Sequence, residues 1–203
     1  DLTLSGSTSG VELGQTVTVT FGGKTYTATV AGDGSWTTSV PAADLAALRD
    51  GGATVQASVS NINGNTASAT HAYSVDATAP TFAINTIATD DILNAAEAGN
   101  PLTISGSSTA EAGQTVTVTL NGVTYTGTVQ ADGSWSVSVP TADLSNLTAS
   151  QYTVSASVSD KAGNPATATH GLAVDLTVPV LTINTVSGDD IINAAEHGQA
   201  LVI

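Results

Sequence analysis

A block of about one hundred residues occurs more than once in this chain of 203 residues, and the repeat limits the possible folds more than any other feature. The segment GQTVTVTF at Gly14 returns as GQTVTVTL at Gly113, and Trp36 returns in the same context as Trp135, an offset of 99 residues. A period of this length exceeds the 20 to 50 residues of solenoid units and equals the size of a whole domain. The sequence therefore predicts a tandem array of similar domains.

The register of the repeat also predicts the domain boundaries. Residues 1–4 match residues 101–104, so the first copy contains no counterpart of residues 78–100. The predicted units are a first repeat without its N-terminal segment at 1–77, a complete repeat at 78–176, and the start of a third repeat at 177–203.

Apolar residues in the complete copy alternate with Thr and Ser, the period-two pattern of half-buried β-strands. Hydrophobic residues make up 41% of the chain and aromatic residues 4%, so the core must consist of Val, Ile, Leu and Ala. About seven short strands at regular spacing predict an all-β fold of tandem immunoglobulin-like β-sandwich domains with Greek-key connections, arranged as a linear rod. The predicted strands are 82–87, 102–104, 116–120, 125–129, 135–139, 154–158 and 168–174.

Several local features refine this prediction. The pair Asn121-Gly122 between two alternating runs predicts a tight β-hairpin. The single Trp of each copy lies in phase with apolar neighbours and is interpreted as a core anchor. The segment ADLSNL at 142–147 predicts one helical turn capped by Asp143. His71 and His170 are equivalent in the repeat, and we expect a structural role for both.

The balance of charges points to cations as partners. Three Lys and Arg residues stand against 17 Asp and Glu, a formal net charge of −14, which repels nucleic acid and anionic lipid. The chain has no Cys, which excludes disulfides and thiolate metal sites. No G-x-S-x-G motif singles out a nucleophile. The sequence predicts no enzyme.

The segment TDDILNAAEAG at 89–99 and its twin GDDIINAAEHG at 188–198 contain the densest group of acids. Asn94 is a candidate N-cap, Glu97 follows three residues later as in a capping box, and Gly99 ends the turn. Capping leaves Asp90 and Asp91 unexplained, because adjacent like charges repel each other unless something neutralises them. We therefore expect these acids to hold a cation.

Two further acidic segments support a cation site. In SDKAGN, Asp160 and Asn164 offer oxygen atoms around a turn, and VDLTVP places Asp175 at the end of the last strand. We expect these residues to face the acids of the next repeat, and we expect Asn61, Asn65 and Asp76 to play the same part for the first copy with one negative charge fewer. Ligation by oxygen alone favours Ca²⁺ over Mg²⁺, since Ca²⁺ accepts 6 to 8 flexible ligands. The candidate Ca²⁺ ligands are Asn61, Asn65, Asp76, Asp90, Asp91, Glu97, Asp160, Asn164, Asp175, Asp189, Asp190 and Glu196.

The chain resembles the tandem bacterial Ig-like repeats of giant Bap-like and RTX surface adhesins secreted by type I systems. The resemblance rests on LTISGSSTAEAGQTVTVTLNGVTYTGTVQADGSWSVSVP, VSDKAGNPATATHGLAVD, VDLTVP and TINTVSGDDIINAAEHG, and it covers nearly the whole chain. It implies an extracellular, non-enzymatic extender region with roles in adhesion and biofilm formation, in which Ca²⁺ at the domain junctions stiffens a rod.

Two other interpretations remain open. The first is that the repeats form a direct binding module for carbohydrate or a host-surface protein, although their short loops favour a spacer. The second follows from residues 177–203, which match the segment that the first repeat lacks, so chains are expected to donate strands head to tail.

Overall fold

The computed structural model describes residues 1–186, 189–198 and 200. The chain folds into two compact units. The first unit consists of residues 1–81 together with 159–166, and the second consists of residues 82–158 together with 167–203.

The first unit contains a two-stranded and a four-stranded antiparallel sheet, with strand orders β1-β4 and β3-β2-β5-β6. Its buried centre is formed by small aliphatic residues of β2 and β3 and by the residue after β3, namely Val17, Val19, Ala28 and Val30. The elements are β1 (Leu2–Ser7), β2 (Thr16–Phe21), β3 (Lys24–Thr29), β4 (Ser35–Val40), α1 (Ala42–Leu45), β5 (Gly51–Ser60) and β6 (Thr66–Val75).

The remaining elements form a three-stranded sheet of order β12-β9-β7 and a five-stranded sheet of order β11-β10-β13-β14-β8. These elements are β7 (Phe82–Ile84), β8 (Ile92–Asn94), β9 (Leu102–Ser108), β10 (Thr115–Leu120), β11 (Val123–Thr128), β12 (Ser134–Val139), α2 (Thr141–Leu144), β13 (Gln151–Ser159) and β14 (Pro165–Asp175). The chain crosses between the two sheets after β9 and after β11, as in a β-sandwich. The predicted Ig-like sandwich is confirmed.

Alternation along β10 shows why these residues form a sandwich. Val116 and Val118 are completely buried and Leu120 is 2% exposed, while the threonines between them lie on the other face of the sheet. At the end of this strand Asn121 and Gly122 adopt positive φ angles of 51° and 78°. These angles belong to the hairpin turn that matches the twist of paired strands, so the predicted hairpin is confirmed.

The short helix α2 is present, but the prediction that Asp143 caps it is wrong. Pro140 occupies the N-cap position, and no side chain caps the helix there. The Asp143 carboxylate instead accepts a hydrogen bond of 2.8 Å from the Tyr125 hydroxyl on β11. The first unit repeats this arrangement, with Tyr26 donating to Asp44 at 2.7 Å. Each Asp therefore fastens its helix to a neighbouring strand.

The strand β8 is not among the predicted strands. It pairs in parallel with the end of β14, and Leu93 at its centre is completely buried. Three residues are too few to show a period, and a parallel partner distant in sequence leaves no local signature.

The prediction of a tryptophan anchor is confirmed in the second unit. Trp135 on β12 is 1% exposed, and the ring of Phe82 on β7 stacks on it at a centroid distance of 5.3 Å. In the first unit Trp36 is only half-buried. Among the described residues β1 pairs with β4 alone, so no strand in the position of β7 covers the Trp36 ring.

Candidate functional site

The first candidate acids lie on a tight loop before β8. The Asp91 amide donates to the Ile87 carbonyl at 2.7 Å, and Oδ1 of Asp91 accepts a hydrogen bond of 2.7 Å from the Ile87 amide. The same Oδ1 lies 2.7 Å from Nε2 of His170 on β14. The Ile87 amide, and after it His170, hold the pKa of the Asp91 carboxyl below its usual value. Asp91 therefore closes the loop and ties it to β14.

The loop holds three non-glycine residues in the left-handed region of backbone conformation. The φ angles are 50° at Ala88, 68° at Thr89 and 65° at Asp91. Such angles are unfavourable for L-residues, above all for β-branched Thr89, and persist only where surrounding contacts impose them. The two hydrogen bonds between Ile87 and Asp91 supply those contacts.

Asp90 and the residues after it form local caps. Oδ1 of Asp90 accepts a hydrogen bond of 3.0 Å from the Ile92 amide. Oδ1 of Asn94 accepts from the Glu97 amide at 3.0 Å, and Oε2 of Glu97 accepts from the Asn94 amide at 3.1 Å. This reciprocal pair is a capping box, which confirms the prediction for Asn94 and Glu97.

The described residues of the third copy repeat several of these hydrogen bonds. Oδ1 of Asp190 accepts a hydrogen bond of 2.9 Å from the Val186 amide, and Oδ1 of Asp189 accepts one of 3.0 Å from Ile191. Oε2 of Glu196 accepts from the Asn193 amide at 3.1 Å. The two surplus acids of each copy, unexplained by sequence, therefore have backbone partners.

A second group of candidate ligands meets in the first unit. Nδ2 of Asn164 donates to the Asp76 carbonyl at 3.2 Å and lies 3.4 Å from Oδ1 of Asp76. The same Nδ2 donates to Oδ2 of Asp160 at 2.9 Å, and this contact is the main reason that the pKa of Asp160 lies below its usual value. The Asn164 amide group thus links a carboxylate on each side.

The structure corrects the expected grouping of these residues. Asn61 and Asn65 form a turn before β6, whereas Asp76 follows the last residue of that ten-residue strand. A strand rises about 3.3 Å per residue, so the two ends are about 30 Å apart and cannot share one ion. By the same reasoning Asp160 and Asn164 precede the eleven-residue β14, and Asp175 ends it.

The expected set of Asp160, Asn164 and Asp175 is therefore wrong as a single site, and so is the set that joins Asn61 and Asn65 to Asp76. The grouping that the structure brings together is Asp76 with Asp160 and Asn164. Asp175 instead accepts a hydrogen bond of 3.0 Å from the amide of Thr177.

Within residues 1–186, 189–198 and 200, no three His, Asp or Glu side chains lie close enough together to hold a metal ion on their own. Amide and backbone oxygens also bind hard cations, and Asp76 offers both a carbonyl and a carboxylate to the Asn164 contact. The role of the twelve candidate residues as Ca²⁺ ligands stays a prediction. In the same described ranges, no helix has the length and apolar character needed to cross a membrane.

These features define a class of protein: tandem Ig-like β-sandwich repeats that are acidic and contain no cysteine. The family model described as bacterial Ig-like domain matches residues 89–176. Residues 89–176 therefore form a bacterial Ig-like domain.

Solved structures extend the likeness to both repeats. One is a Ca²⁺-stabilised adhesin that helps an Antarctic bacterium reach out and bind ice, and it is 36% identical in sequence. The match covers 98% of this chain and 50% of the adhesin chain, with a TM-score of 0.56. Another is a 1.5-MDa bacterial ice-binding adhesin, which is 34% identical in sequence. The match covers 98% of this chain and 66% of that adhesin chain, with a TM-score of 0.53. The chain thus spans half to two thirds of these relatives. Among curated proteins, none matches the chain significantly.

Proposed function

We propose that this chain belongs to the extender region of a large bacterial surface adhesin, a non-enzymatic rod outside the cell that takes part in adhesion and biofilm formation after type I secretion. The observation that carries the proposal is the match to two adhesin structures at 36% and 34% identity, each over 98% of the chain. The repeat register supports it, because a tandem array of similar domains gains length with each copy. The proposed repeats are 1–77, 78–176 and 177–203.

The packing of the repeats supports a mechanical role. The second unit has its own aliphatic core, with Ile104, Leu144, Val154 and Leu172 at most 1% exposed. Domains with separate cores are joined flexibly by default unless something fixes the joint. An extender that keeps its length therefore needs a device that stiffens the connections between repeats.

We propose that this device is Ca²⁺ bound by oxygen ligands where repeats follow one another. Asp76 and Asp160, which share the Asn164 side chain, are the best-placed pair. The remaining candidates are Asn61, Asn65, Asp90, Asp91, Glu97, Asp175, Asp189, Asp190 and Glu196. A divalent cation would offset part of the formal charge of −14 and would bind both carboxylates, with the side-chain oxygen of Asn164 as a further ligand. The ion-stabilised adhesin among the relatives supports this choice of metal.

The test compares the whole chain in Ca²⁺, in Mg²⁺ and in chelator. Calorimetry measures binding, thermal unfolding measures stability, and small-angle scattering measures the maximum dimension. We expect Ca²⁺ to raise the unfolding temperature by mass action and to lengthen and narrow the distribution of dimensions, with a smaller effect of Mg²⁺. Identical melting and scattering in all three solutions would contradict the calcium proposal. The extender role would then rest only on the sequence similarity to the two adhesins.

A further inference from the structure

A single carboxylate fastens the segment 76–78, which follows β6 in the first unit. Oδ1 of Asp50, the residue directly before β5, accepts a hydrogen bond of 2.8 Å from the Ala77 amide. Oδ2 of Asp50 accepts a hydrogen bond from the Thr78 hydroxyl. The Thr78 hydroxyl, and after it the Ala77 amide, hold the pKa of the Asp50 carboxyl below its usual value. Both oxygens of Asp50 therefore hold successive residues of the segment.

The register of the sheet explains why Asp50 reaches this segment. Gly51, the first residue of β5, pairs with Val75, the last residue of β6. Asp50 therefore enters one strand where Asp76 leaves the other. Residues 76–78 are exposed, so water would compete for their backbone groups if no side chain occupied them.

The peptide group between Asp76 and Ala77 connects Asp50 to the candidate cation site, and all of these residues belong to the first unit. A trans peptide group is planar, so its N–H and its C=O point in opposite directions. Asp50 holds the N–H of Ala77, and the carbonyl of Asp76 at the other end accepts a hydrogen bond of 3.2 Å from Nδ2 of Asn164. Rotation of this peptide group would break both contacts. Asp50 therefore fixes the direction of the Asp76 carbonyl.

The corresponding loop of the second unit has no carboxylate. Ala149 occupies the repeat position of Asp50. There the Tyr152 hydroxyl accepts hydrogen bonds of 2.8 and 2.9 Å from the Thr148 and Ala149 amides, so the loop closes on itself. The contact made by Asp50 thus distinguishes the first copy from the second.

From these observations we propose that Asp50 is a positioning residue, which shapes the segment 76–78 before any cation binds and turns the Asp76 carbonyl towards Asn164. This role rests on the Ca²⁺ site proposed above, and Asp50 is not one of the ligands predicted from the sequence. It acts through its hydrogen bonds and not as a ligand. Groups that orient metal ligands from outside typically contribute about 10–100-fold to the affinity for the metal.

Two substitutions separate the hydrogen bonds of Asp50 from its charge. Asp50→Ala removes both. Asp50→Asn removes the charge but keeps an oxygen that can accept from the Ala77 amide and an NH₂ group that can donate to the Thr78 hydroxyl. Asp33→Ala is the matched control, since Oδ1 of Asp33 also accepts from an amide and a hydroxyl, both of Ser35. Asp50 and Asp33 are both exposed, so the buried core should be unaffected.

The first measurement is hydrogen exchange of the Ala77 amide in the whole, isotope-labelled chain in the presence of chelator. We expect Asp50→Ala to accelerate this exchange by about fivefold or more, because the amide loses its hydrogen-bond acceptor. Asp50→Asn should retain most of the protection, and Asp33→Ala should leave it unchanged. This measurement needs no metal.

The second measurement is calorimetric titration of the same four proteins with Ca²⁺. We expect Asp50→Ala to weaken the tightest Ca²⁺ binding by about tenfold or more, with the number of bound ions unchanged because no ligand has been removed. Asp50→Asn should retain most of the affinity, and Asp33→Ala should match the unaltered chain.

Three results would count against this role. Unchanged exchange of the Ala77 amide in Asp50→Ala would show that Asp50 does not hold the segment. Equal loss of Ca²⁺ affinity in Asp50→Ala and Asp50→Asn would show that the charge of Asp50 acts, and would overturn the positioning role alone. Absence of Ca²⁺ binding by the unaltered chain would overturn the calcium proposal and the positioning role together, so the two failures are distinguishable.

Discussion

Oδ1 of Asp91 lies 2.7 Å from Nε2 of His170, although 79 residues separate the two along the chain. The contact fastens the strained loop before β8 to β14, just before the point where these strands begin to pair in parallel at Ala173 and Ile92. The first copy has the equivalent His71, which is exposed and has no hydrogen bond to an acid among the described residues. The two histidines thus form a natural matched pair for measuring the contact.

His170→Ala should destabilise the second unit, and His71→Ala should leave the first unit unchanged. Loss of this hydrogen bond should lower the unfolding temperature of the second unit by a small but measurable amount, because solvent screens a contact to a partly exposed carboxylate. Thermal unfolding followed through Trp135, in a Trp36→Phe background, measures the effect on the second unit. Equal effects of the two substitutions on their own units would show that the contact with Asp91 is not what stabilises β8.

The loss of stability of the second unit at low pH should depend on Asp91. The pKa of Asp91 in the folded chain is below its usual 3.8, so its stabilising effect is fully present above pH 3.8 and is lost as the pH falls through the lowered pKa. Asp91→Asn should therefore flatten the decline of the unfolding temperature of the second unit between pH 4 and pH 2, about the usual range of carboxyl titration. Asp33→Asn is the control, because Asp33 bonds with Ser35 in the first unit and should alter only that transition.

Thr89→Gly should stabilise the second unit. Thr89 is a β-branched residue at φ 68°, a conformation that costs an L-residue about 1–2 kcal/mol, while glycine adopts it freely at an entropic cost of about 0.5–1 kcal/mol. The expected gain in the free energy of unfolding is about 0.5–1 kcal/mol. The repeat itself carries this substitution, since the third copy has Gly188 at the same position. A chemical denaturation curve with unchanged slope and a lower midpoint would contradict the prediction.

Gly106→Ala should be far more harmful than Gly6→Ala. The new methyl group at position 106 would overlap the Ala83 carbonyl of β7 and the Trp135 ring, and overpacking of this kind costs about 1–3 kcal/mol or more. At position 6 the three atoms nearest to the methyl group all belong to the half-exposed ring of Trp36, and no backbone atom is among them. Unfolding curves of the two variants test the register of β7 on β9, and equal destabilisation would show that β7 does not pass over Gly106.

The sequence predicted most strands because alternation is a local property. Val116, Val118 and Leu120 indicate β10 without any knowledge of its neighbours, and Asn121-Gly122 indicates the turn that follows. The strand β8 was not predicted because its three residues gain their order from β14, some eighty residues later. The pairing of Asp91 with His170 has the same non-local origin, and only the presence of a histidine at both repeat positions pointed to it.

The grouping of the candidate ligands failed for a geometric reason. The sequence places Asp160, Asn164 and Asp175 within sixteen residues, but a straight strand separates the turn from its far end. Asp160 and Asn164 are therefore close to Asp175 in sequence but lie at the opposite end of the strand. The contact between Asn164 and Asp76, 88 residues apart, has no sequence signature beyond the presence of acids in both segments.

Asp160→Asn tests the regrouped site in the first unit. If Ca²⁺ binds at Asp76, Asp160 and Asn164, this substitution removes a carboxylate ligand at an unchanged shape and should weaken the tightest Ca²⁺ binding by about tenfold or more. Asp132→Asn is the matched control, because it removes the same charge from a carboxylate whose partner is Ser134 at the turn before β12. Calorimetric titration of the whole chain distinguishes the two variants. If both bind Ca²⁺ as tightly as the unaltered chain, the ion lies elsewhere, and Asp90, Asp175 and Asp189 become the next positions to substitute.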